Sequence, residues 1–155
     1  MRRMDMQMER WIEEAVAAAP GRDRVRAALP LLLSLQPRWE ALWTRFWPDA
    51  PERGVEAGRA GLRLLDRVAG GETIEDAPLR AACAAMSEVA MQVGDSGQHL
   101  DAEHDAGFAH LFTALATVTL HEALGEPHAL HTYEEVAQST PMIVETYPAA
   151  AAAFD

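Results

Sequence analysis

The stretch PERGVEAGRAGLRLLDRVAGG, from Pro51 to Gly71, decides the fold class. Val55, Gly58, Leu62, Leu65 and Ala69 recur at three- and four-residue intervals, which is the period of an α-helix with one buried face. Pro51 sits where a helix tolerates proline, in the first turn, with Asp49 before it as the candidate cap. Gly70-Gly71 then supplies a stop. Gly54, Gly58 and Gly61 are the anomaly. Each costs about 1 kcal/mol against alanine in a helix interior. Three such costs predict a neighbouring helix that approaches where a side chain is missing.

The same period extends in both directions from this segment. Upstream, Met4, Met8, Trp11, Ile12, Ala15, Val16 and Ala19 fall on one face of a helix expected over 3–19, which Pro20-Gly21 ends. A second apolar segment starts near Asp23, and Pro30 is expected to kink or split it. Pro37 is expected to begin a new piece that carries Trp39, Trp43 and Trp47 at four-residue spacing. Core packing is the default use of that aromatic face, and an exposed anchor for a partner or a second copy is the alternative.

Downstream, a helix is expected after Thr73 or Asp76, with Pro78 in its first turn. Its inner face would be Leu79, Ala82, Cys83, Met86, Ala90 and Val93, and its stop Gly94. A long helix over about 102–124 follows, with Phe108, Leu111, Phe112, Leu115, Val118 and Thr119 inward and Gly125 at its end. Shorter helices would follow Pro127 and Pro141. No period-two strand is evident. The expected fold is all-α, an irregular bundle of six to eight helices in a single domain over residues 1–155.

Charge divides the chain into two unlike parts. Residues 1–80 hold all 13 arginines and 13 acids, whereas residues 81–155 hold 11 acids and neither Lys nor Arg. The net charge of −11 therefore belongs wholly to the second part, as do all six histidines. Such a field repels nucleic acid and attracts a basic protein. The bland alternative is a solvated acidic face that aids solubility. Protonating the histidines would offset about half of this charge in the range where His titrates.

Several chemistries are argued against by the residues themselves. Gly94-Asp95-Ser96-Gly97 spells the nucleophile loop of chymotrypsin-like proteases. Yet no histidine precedes His99, the neighbouring segments are helical, and Gln98 stands where that pattern has glycine. A helix stop and turn is the better reading of these four residues. Cys83 reads as a buried structural thiol, since it lies past the first turn of its helix and Arg80 is the only nearby cation. Neither a glycine-rich phosphate loop nor a basic aromatic platform for nucleic acid is present. The longest apolar runs fall well short of the roughly 18 residues that cross a membrane. The N-terminus lacks the apolar core of a signal peptide, so a cytoplasmic protein is expected.

Metal binding remains an alternative through His99, His104 and His110 with neighbouring carboxylates, which would take a divalent transition metal. His104 and His110 lie about 240° apart around one helix, so they cannot grip one ion alone. His110 and His121 share a face but sit roughly 16 Å apart along the axis. His128 and His131 could form half a site.

Residues 38–93, beginning RWEALWTRFWPDAPERG, resemble immunity proteins of bacterial polymorphic toxin systems. The matching positions are Trp43, Phe46, Pro48, Asp49, Pro51, Arg53, Ala57, Arg59, Gly71 and Glu72. The last third departs from that pattern, with only His110 and His121 echoing its Ala-His repeats. The resemblance implies a helical inhibitor and carries over no functional residue. Combined with the charge division, it leads to an expected non-enzymatic binding protein without a cofactor. Its acidic half would cover a basic partner surface through Asp101, Glu103, Asp105, Glu122, Glu126, Glu134 and Glu135. A homo-oligomeric scaffold is the third possibility.

Overall fold

The computed structural model describes residues 21–46, 51–95 and 106–125, together with Glu14, Ala17 and Ala18. Among the described residues all extended regular structure is helical, in four long helices and no strand. These are α1 (Arg22–Phe46), α2 (Pro51–Ala69), α3 (Asp76–Asp95) and α4 (Ala106–Leu124). Each helix packs on its neighbour in sequence, α4 returns to pack on α1, and α2 reaches α4 across the middle. The expected count of six to eight helices includes segments outside the described residues. At Glu14–Ala18 one helical hydrogen bond is present, from Ala18 N–H to the Glu14 carbonyl at 3.0 Å.

The helix boundaries follow from local chemistry. α2 begins at Pro51 and α3 at Asp76, with Pro78 in the first turn. α2 ends on Gly71 in the left-handed region, at φ 103. There Gly71 N–H donates to Val68 O at 3.1 Å and Glu72 N–H to Arg67 O at 3.0 Å, the paired bonds of a Schellman stop. Gly125, at φ 75, terminates α4 in the same backbone region. α3 runs through Gly94 to Asp95, so the stop lies past the glycine expected to provide it.

α1 departs from expectation. It is one helix of 25 residues that contains both Pro30 and Pro37. Proline removes a donor and crowds the carbonyl four residues back, here those of Arg26 and Leu33. Residues 26, 30, 33 and 37 fall within about 60° of one another around the axis at 3.6 residues per turn. All four are exposed. The freed carbonyls therefore lie on the solvent side, where water satisfies them, and the helix continues.

Antiparallel packing of α1 on α2 accounts for two of the three glycines. Trp43 lies over Gly54 and Trp39 over Gly58. A Cβ at Gly54 would stand 2.6 Å from the Trp43 ring, and one at Gly58 would stand 2.5 Å from the Trp39 ring. By the same antiparallel spacing, Leu35 and Leu32 fall level with Leu62 and Leu65, and all four are buried. Gly61 faces α4 instead, with the Leu120 side chain at 3.4 Å. Trp39 and Trp43 meet edge to face at 5.6 Å, and Trp39 stacks on Phe112 of α4 at 4.6 Å. Both tryptophans are thus core residues, which removes them from any exposed aromatic anchor; Trp47 lies outside the described residues.

α4 is the most enclosed element. From Phe112 to Leu124 none of its residues is exposed. Buried Thr119 returns its hydroxyl to the Leu115 carbonyl at 2.7 Å, which satisfies it within the helix. On α3, Leu79, Ala82, Cys83 and Met86 are buried as the helical period predicts, and Val89 joins them.

Candidate functional site

The charge division of the sequence has a structural counterpart. Four described arginines of the first part, Arg22, Arg26, Arg59 and Arg67, bond within that part. Arg26 Nε donates to Ala69 O at 2.5 Å and Arg22 Nη2 to Gly71 O at 3.3 Å, so α1 supplies cations to the carbonyl end of α2. That end carries the negative pole of the helix dipole, which favours a cation. Arg67 Nε pairs with Glu72 at 2.8 Å. Arg59 grips Glu40 through two donors, at 2.5 and 3.4 Å, and ties α2 to α1. The hydrogen bond to Glu40, followed by its charge, raises the Arg59 pKa above its ordinary value. These contacts lie at the surface, where solvent and salt screen them. Their main consequence is electrostatic, because the arginines neutralise acids of their own half.

Glu122 corrects the sequence-based expectation. It was one of seven acids assigned to an exposed binding face, yet it is 3% exposed. Its Oε1 accepts the Gly21 N–H at 2.8 Å and Arg24 Nη1 at 3.3 Å. Gly21, at φ 87, caps α1, and its carbonyl accepts the Val25 N–H at 3.1 Å. One carboxylate thus joins the start of α1 to the last turn of α4. The Arg24 side chain is only 12% exposed, so this pair is screened far less than the surface pairs. Glu122 is structural and unsuited to partner contact. A signal for this is present in the sequence. Glu122 closes a run, Leu115–His121, with no other charged group, and an acid within a helix apolar on all sides must be buried and paired.

The other predicted contacts, Asp101, Glu103, Asp105, Glu126, Glu134 and Glu135, lie outside the described residues. His99 and His104 do as well, whereas His110 is placed on the backbone of α4. Among the described residues, no three His, Cys, Asp or Glu side chains converge as a metal centre. Cys83 is buried beneath α3, as expected for a structural thiol. Ser96 and Gly97 of the protease-like tetrad fall outside the described residues, and Asp95 ends α3. Among the described helices none is long and apolar enough to cross a membrane.

Two open grooves mark the described surface. One, of about 490 Å³ between α1 and α2, is lined by Leu33, Leu62, Gln36, Arg59, Arg63 and Asp66. Leu33 is 47% exposed at its edge. The other, of about 340 Å³ between α2 and α3, has small walls from Gly54, Ala57, Ala60 and Ala85 beneath Arg53, Glu56 and Glu88. Among the described residues neither lining contains a Ser, Thr, Cys, His or Lys side chain.

Compared with known proteins, the chain matches no family model, no curated protein and no solved structure.

Proposed function

We propose that the protein is a non-catalytic helical binding protein, an inhibitor or immunity factor whose acidic C-terminal half docks on a basic surface of a partner protein. One observation carries this reading. Residues 81–155 contain 11 acids and no Lys or Arg, so this part of the chain holds no fixed cation of its own to neutralise them. Arg59 and Arg67 pair within the first part, and Arg22 and Arg26 donate to carbonyls of α2 and its turn. A part so acidic draws a basic protein by long-range attraction. The resemblance of residues 38–93 to immunity proteins points to the same kind of partner, such as a toxin with a basic cleft.

The contact set is Asp101, Glu103, Asp105, Glu126, Glu134 and Glu135, with Glu122 removed because its carboxylate holds α1 to α4. Long-range attraction of this kind acts on the association rate more than on dissociation. Changing Asp101, Glu103 and Asp105 together to Asn, Gln and Asn should slow association with the captured partner and flatten its dependence on salt. An unchanged rate at low ionic strength would remove the acidic face from recognition.

A further inference from the structure

We draw no further inference here: the strongest candidate, the open groove between α1 and α2 where Leu33 stands exposed above Leu62 and Arg63, is an apolar face, and nothing in the structure shows what covers it.

Discussion

Gly58 lies directly against the indole of Trp39, so close that a single added Cβ would stand 2.5 Å from its Cζ3 atom. The ring has little room to retreat, because it is fully buried and stacks on Phe112. Alanine at this position gains about 1 kcal/mol in helix propensity. It must also displace a fully buried ring, and overpacking costs about 1–3 kcal/mol. A net loss of about 1–2 kcal/mol is expected for Gly58→Ala, from the upper part of that range. Gly61→Ala should act oppositely, since its neighbour Leu120 stands at ordinary contact distance and can adjust. A gain of up to about 1 kcal/mol is expected there. Urea unfolding of the two variants reads the contrast directly. Equal stabilisation by both would show that the helices are not in contact at Trp39.

This contrast marks how far the sequence reaches. Three glycines in one helix announce a close approach, and a count of propensities suffices to find it. Which glycine meets a ring and which meets a flexible leucine depends on the register of α1 on α2, and a one-dimensional pattern does not contain that register. Pro30 and Pro37 illustrate the same limit. Their cost depends on whether the carbonyls they free face water, and that becomes known only when the buried side of α1 is fixed. Pro51, Pro78, Gly71 and Gly125 were readable because each acts on its own turn. For Glu122 the apolar run before it signals burial, but its partners are not legible, since Gly21 and Arg24 lie 101 and 98 residues away in sequence.

Trp39 itself provides a second test. Trp39→Ala should cost about 3–5 kcal/mol, the range for emptying a buried aromatic site. That loss is a large fraction of the roughly 5–15 kcal/mol that keeps an ordinary domain folded. Trp39→Phe should cost much less than volume alone suggests. It keeps an aromatic ring against Phe112 and removes an indole N–H that is buried without an acceptor among the described residues. Such a donor costs about 1–3 kcal/mol. Thermal unfolding followed by circular dichroism measures both variants, and a Phe variant as damaged as the Ala variant would contradict the packing described.

Removing the carboxylate in Glu122→Ala leaves the Gly21 N–H without the oxygen it donates to and takes from Arg24 the carboxylate it pairs with. Breaking a buried pair at one partner costs about 3–5 kcal/mol, and the lower end is expected here because Arg24 retains some exposure. Glu122→Gln keeps an oxygen for Gly21 and should lose roughly half as much, since a neutral hydrogen bond is weaker than a charged one. Denaturant midpoints for the pair settle the order. If both variants match the parent in stability, Glu122 is a surface acid and returns to the candidate binding face.

The described core closes around apolar side chains of all four helices, so folding should not depend on a metal. Dialysis against a strong chelator is expected to leave the unfolding midpoint unchanged. A fall of several degrees, with stoichiometric zinc, iron or manganese in untreated protein, would assign His99, His104 and His110 as ligands.

The central claim is recognition through the cation-free half, and capture from the native cell tests it most directly. The parent protein and a variant with Asp101, Glu103, Asp105, Glu126, Glu134 and Glu135 all changed to their amides would be used as paired baits, after both are shown to be folded. The account predicts a basic protein retained by the parent and lost by the variant, with retention falling as salt rises. A partner held equally by both baits, or no partner on either, would contradict it.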